Sequence, residues 1–379
     1  MAKTSGTKSA GTRKPTTNPL LAPWRTPFKA PPFASIAPNH FSPAFKAALK
    51  AHRDEIAAIA GATSKPSFAN TVVALEKSGA LLNRVADVFF NLTSAHTNPK
   101  LEAIQRDVAP LLAKHQSAVL LNRRLFLRIE DLYARRDSLG LDAEALRLLE
   151  RVHTNFVRAG AKLDAKSRKR IAEINTELAT LGTAFNQNVL ADEQAWHMIL
   201  DSEQDLAGLP ESVRAAAAQA ATDLGRPGRH AITLARSSVE PFLQFSARRD
   251  LREEAWKAWV RRGELGGKTD NRKIIVRMIA LRRELAGLLG YENFAAYVLD
   301  DTMAKTPDTV RGLLDKVWPA GLKRARAERD ALDARARAEG GNFDIAAWDW
   351  RYYAEKERKA RYDLDEAEVR SYLTLDNVL

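Results

Sequence analysis

The chain has 379 residues, with 59 Lys and Arg against 47 Asp and Glu, a formal net charge of +12 and no cysteine. At 45% apolar and 28% charged residues it has the composition of an ordinary soluble protein and the length of two or three domains, which excludes collagen-like, membrane and wholly disordered classes. Zero cysteine excludes a disulfide framework, a thiolate nucleophile and every Cys-containing zinc or iron–sulfur site, leaving histidines and carboxylates as the strong metal ligands.

Residues 1–17 carry Lys3, Lys8, Arg13 and Lys14 and no acid, a third of the net charge. They contain no apolar run, so they read as a disordered basic tail of a cytoplasmic protein, with neither a signal peptide nor a membrane span. Seven of the sixteen prolines then fall at positions 15 to 38. Proline fixes φ and pushes the preceding residue out of the α region, so residues 18–41 are expected to be extended. Leu20, Leu21, Trp24, Phe28 and Phe33 argue that this strap lies against protein.

From Ser42 the pattern turns helical: Ser42 as N-cap, Pro43 at the first helical position, Phe45, Leu49, Ile56 and Ile59 on one face, and an end at Gly61. Asn98-Pro99 opens a helix to about Leu121. Asp142 opens another, with Ala145, Leu149, Val152 and Phe156 inward and Gly160 as its stop. Between Asp164 and about Leu190, Ile171, Ile174, Leu178, Leu181 and Phe185 form a seam at spacings of 3 and 4, suited to a helical hairpin or bundle. Two short runs, Ala195–Leu200 and Ala231–Leu234, read as strands able to pair, flanking an Ala-rich helix at about Glu211–Leu224. No Gly-rich phosphate loop lies between them, so a nucleotide-binding unit is unsupported. Helices resume at Ala247–Arg262, Arg272–Leu289 and Pro307–Glu339, the last expected to kink at Pro319. Five of the seven tryptophans lie in the last third, hinting at a boundary near residue 230.

The chemistry is sparse. The histidines are His40, His52, His96, His115, His153, His197 and His230, and none is followed by the Glu-x-x-His that puts two imidazoles on one helical turn around zinc. His52, between Leu49 and Ile56, reads as a hydrogen-bonded core histidine. There is no Gly-x-Ser-x-Gly elbow. Asp363, Asp365, Glu366 and Glu368 read as surface acids at a helix start, where the dipole favours them. The basic run Lys166, Arg168, Lys169 and Arg170 is answered by Glu173 and Glu177, which favours a salt-bridged helix face over a phosphate patch. Trp348-Asp349-Trp350-Arg351-Tyr352-Tyr353 reads either as a core corner or as the lip of a peptide-binding groove.

Several collinear segments carry a resemblance: Asn18-Pro-Leu-Leu-Ala-Pro-Trp24, Val88-Phe-Phe-Asn-Leu-Thr-Ser-Ala-His-Thr-Asn98, Phe156-Val-Arg-Ala-Gly-Ala-Lys162, Phe185-Asn-Gln-Asn-Val-Leu190, Met303-Ala-Lys-Thr-Pro307, Trp348-Asp-Trp-Arg-Tyr-Tyr-Ala-Glu355 and Asp363-Leu-Asp-Glu-Ala367. From about residue 18 to 379 the chain resembles the first part of the dipeptidyl carboxypeptidase branch of the thimet-oligopeptidase family of zinc metallopeptidases. The resemblance implies a mainly α fold of helical hairpins and a few short strands, half of a two-lobed channel with zinc at its floor. It implies release of dipeptides from the C-termini of short peptides by a metal-activated water, with the Glu of His-Glu-x-x-His as general base.

That motif and the remaining zinc and oxyanion residues belong to the second half of the family pattern. No catalytic or metal-binding residue carries over, and the substrate-binding residues stay open. The expected organisation is the tail at 1–17, an N-terminal helical domain at 18–230 and, at 231–379, the beginning of the catalytic domain, cut before the zinc motif. Alone, such a chain is expected to bind no catalytic zinc, to hydrolyse nothing and to expose apolar faces beyond about residue 230. Its expected partners are short peptides and a C-terminal half, not membrane or nucleic acid, because charges of both signs mix along each helix. The rival reading is a non-catalytic helical module that binds peptides or a partner.

Overall fold

The computed structural model describes residues 18–363 and 366–378. The tail expected at 1–17 lies outside them. The fold is mainly α, and among the described residues one sheet occurs: His197–Leu200 pairs antiparallel with His230–Thr233, Met198 opposite Ile232. By contacts the chain divides into two units, one running to Ala184 and taking in Leu281–Tyr291, the other made of Phe185–Ala280 and the chain from Glu292.

In the first unit the strap is extended between single 3-10 turns at Pro27–Lys29, Phe33–Ser35 and Pro38–His40. Leu20 is fully buried, and Arg84 holds the strap by donating to the Leu20 carbonyl (2.9 Å) and lying over the Trp24 ring. Phe28 and Phe33 depart from expectation, since both are exposed. The first long helix is Phe41–Gly61, and Ser42 does not cap it: the preceding 3-10 turn feeds straight in, with helical angles already at His40. Its inward stripe, Phe41, Phe45 and Leu49, meets Val85 and Phe89 of the Ala80–Ala95 helix, with Phe41 and Phe45 edge-on to Phe89. Each such ring removed from water contributes roughly 1.5–3 kcal/mol.

Further along, Asn98 accepts from the amides of Lys100 and Leu101 to start Pro99–Leu120, Asn122 caps Arg123–Ala134, and Asp142 accepts from Ala145 to start Ala143–Ala159. Gly160 ends that last helix at φ 99°, a conformation that suits glycine. Ile56, Ile59, Leu125, Ile129, Leu149 and Phe156 make the unit's second core. The seam predicted over Asp164–Leu190 forms a single helix, Ala165–Ala195, and no hairpin. Ile171 and Ile174 are buried, whereas Leu178, Leu181 and Phe185 are half-buried.

The second unit packs the sheet, Glu211–Asp223 and Arg236–Phe245 around Met198, Leu200, Ile232, Val239 and Phe242. Helices Arg249–Val260, Phe294–Leu299, Pro307–Ala338 and Trp350–Tyr362 follow within it. Pro319 does not interrupt Pro307–Ala338, although its ring costs one intrahelical hydrogen bond; the helix runs on through a stretch exposed on every side.

Candidate functional site

Two histidines that stand far apart in sequence pair in space. His115 Nε2 lies 2.9 Å from His52 Nδ1, with the rings tilted at 60°, and His52 Nε2 lies 3.2 Å from Ser78 Oγ. Ser78 has one hydroxyl proton and gives it to the Leu75 carbonyl at 2.6 Å. His52 Nε2 therefore donates to Ser78, His52 Nδ1 accepts, and His115 carries its proton on Nε2. The serine is thus not activated: the imidazole gives it a hydrogen bond and takes no proton from it. Burial holds both histidines below the usual value; Glu55 partly counters this at His52, while the charges of His52 and Arg53 reinforce it at His115. His52 is the hydrogen-bonded histidine expected, half-buried rather than at the heart of the core.

A second polar group joins the Arg123–Ala134 and Ala143–Ala159 helices. His153 Nε2 meets Glu130 Oε2 at 2.6 Å, Lys162 Nζ lies 3.2 Å from Glu130 Oε1, and the His153 ring stacks on Tyr133 at 3.8 Å. Partial desolvation would raise the Glu130 carboxyl, but the hydrogen bonds from His153 and Lys162 hold it below the ordinary range. With every member partnered, the group fastens two helices and presents no open acid or base.

The Trp348–Tyr353 block is a core corner. Asp349 is wholly buried and accepts from Arg252 Nη2 (2.8 Å) and from both Nε and Nη2 of Arg249 (3.1 and 2.9 Å). Arg252 also donates to the Ser246 and Trp348 carbonyls, and its guanidinium lies 4.1 Å from the Tyr352 ring centre. Within the basic run at 166–170, Arg170 is paired from another helix: it binds both oxygens of Glu284 (2.5 and 2.8 Å) and reaches Glu173 at 3.3 Å. Of the acids expected at a helix start, Glu366 opens the Glu366–Tyr372 helix, Asp363 and Glu368 are exposed, and Asp365 lies outside the described residues.

Zinc needs three or more converging ligands, and among the described residues no group of three or more His, Asp or Glu is placed to hold a metal ion. His52 spends both ring nitrogens on His115 and Ser78. The donor set present does not fit a catalytic zinc, and no step through one is derived. An open groove of about 410 Å³ runs beside Arg272, Lys273, Val276, Arg277 and Ala280, one face of the Arg272–Leu288 helix. Asp270, at the start of that helix, is held down at about 2 by hydrogen bonds from the Arg272 side chain and amide. Apolar side chains are exposed beyond residue 230, as expected, namely Val276 and Ile279 on this helix and Leu313, Leu314, Val317 and Trp318 on Pro307–Ala338, but Phe28 in the strap is more exposed than any of them.

A mainly α fold with two short strands is what the resemblance implied. Residues 242–379 match the family model of peptidase family M3. The chain is 39% identical over 96% of its length to dipeptidyl carboxypeptidase of Escherichia coli, covering 54% of that protein. It is 31% identical over 94% of its length to oligopeptidase A of the same organism, covering 52% of it, and 30% identical over 96% to the organellar oligopeptidase A of Arabidopsis thaliana, covering 46%. The resemblance to dipeptidyl carboxypeptidases and oligopeptidases A holds, and the chain spans about half the length of the curated relatives it matches. No described helix is long and apolar enough to cross a membrane.

Proposed function

We propose that this chain is the N-terminal part of a zinc-dependent peptidase that takes short peptides and releases dipeptides from their C-termini in the cytoplasm. Residues 18–230 are its helical N-terminal domain and residues 231–379 open its catalytic domain. The observation that carries the reading is the 39% identity to dipeptidyl carboxypeptidase over 96% of the chain; the family M3 match beginning at residue 242 supports the domain boundary.

By itself the chain neither holds catalytic zinc nor hydrolyses peptides, because its histidines are scattered or paired with one another and none begins a His-Glu-x-x-His. Incubating the purified chain with a peptide bearing a free C-terminus, with and without added zinc, tests this. No dipeptide is expected in either case, and chelator-sensitive release by the chain alone overturns the proposal.

A further inference from the structure

The Pro307–Ala338 helix is bare over most of its length. Every residue from Arg311 to Asp330 is exposed, a stretch of roughly 30 Å at 1.5 Å per residue. An unpacked helix is marginal in water, and this one also contains Gly312, Pro319 and Gly321, each unfavourable in a helix interior. Yet its sequence is amphipathic. Val310, Leu313, Leu314, Val317 and Trp318 recur at helical spacing along one side, and Trp318 is 69% exposed.

Further along the same helix, at 14 and 18 residues beyond Trp318, Leu332 and Ala336 are buried against Tyr353 of the Trp350–Tyr362 helix. Leu332 falls on the line of Leu314 after five turns, so an interface established at the C-terminal end continues N-terminally as an uncovered stripe. Six cations stand against three carboxylates between Arg311 and Asp330, so a second copy would bring like charge to like.

We propose that this stripe, Leu313, Leu314, Val317 and Trp318, is the docking face for the C-terminal half of a family M3 peptidase, through an apolar surface with an acidic rim. The inference rests on the proposed function and locates its missing partner. The chain covers 54% of the E. coli dipeptidyl carboxypeptidase, so the relative carries nearly as much chain again outside the matched part, enough to supply an occupant of this stripe. Docking converts a marginal helix into a packed one and makes the chain's order depend on its other half.

The test compares amide exchange over residues 311–330 in the chain alone and in the chain joined in frame to the unmatched C-terminal part of the E. coli dipeptidyl carboxypeptidase, with dipeptide release read in parallel. Rapid exchange is expected in the chain alone, and at least about 100-fold slower exchange in the fusion. In the fusion, Leu314→Glu with Val317→Glu is expected to remove the protection, while in the chain alone it leaves the melting transition unchanged, because both side chains are already exposed. Protection in the chain alone, with sedimentation as a dimer, overturns the proposal in favour of self-association; protection in the monomeric chain overturns it outright. Rapid exchange in a fusion that releases dipeptides sinks the docking face and leaves the function standing. Protection in an inactive fusion does the reverse.

Discussion

Arg252 and Asp349, 97 residues apart, face each other at 2.8 Å with 1% and 0% of their side chains exposed. A charge pair so enclosed holds only because its remaining bonding capacity is filled, here by Arg249 and by the Ser246 and Trp348 carbonyls.

Removing one partner leaves the other charged in a dry site. Asp349→Ala is expected to destabilise the second unit by about 3–5 kcal/mol, the range for a broken buried pair. Arg249→Ala, at a side chain 36% exposed, is expected to cost markedly less. Urea denaturation followed by tryptophan fluorescence measures both, since Trp348, next to Asp349, lies with its ring tilted at 59° to that of Trp256. Equal losses would mean that burial does not set the cost.

Gly79 supports the histidine pair through its backbone. It sits at φ 75°, its amide donates to Glu55 at 2.7 Å, and a Cβ there would stand 3.0 Å from the His52 ring. Gly79→Ala is expected to lower stability by roughly 1–3 kcal/mol, the usual strain of a side chain in the left-handed region. It is also expected to disturb the His52 ring, visible as changed imidazole resonances. An unchanged melting midpoint would remove Gly79 from this account.

The pair itself makes stability depend on pH. Both histidines are held below the ordinary value of about 6.5, so the folded chain binds fewer protons than the unfolded chain as acid is added. Their contribution is complete above about pH 6.5 and is lost as pH falls through the depressed folded values. His115 Nδ1 is buried without a partner, so the first proton goes there, leaving the Nε2 donor to His52 intact. His115→Gln is expected to flatten the stability profile below about pH 6.5, read from chemical melts at several pH values. A profile as steep as that of the natural chain would assign the acid loss elsewhere.

Much of the helical frame was legible because its punctuation is local. Asn98, Asp142 and Gly160 act where the sequence places them, and both short strands form and pair. Ser42 misled because a 3-10 turn runs directly into its helix, so no N-terminal amides await a cap. Phe28 and Phe33 misled because apolar character alone does not say which side chains of a strap turn inward. The Ala165–Ala195 helix carries Gly182 near its middle yet runs on through it, and the spacing of its seam suits one helix as well as two. The long-range pairs, His52 with His115 and Arg252 with Asp349, leave no periodic trace. The one signal was a carboxylate set among the aromatics of Trp348–Tyr353.

The central claim, that this chain is the N-terminal part of a peptidase, is tested most directly by supplying the rest. The measurement is dipeptide release from a peptide with a free C-terminus by the chain joined to the unmatched C-terminal part of the E. coli dipeptidyl carboxypeptidase, in the presence of zinc. The account predicts release that a chelator abolishes and a blocked peptide C-terminus prevents. A folded, zinc-loaded fusion that releases no dipeptide would contradict it.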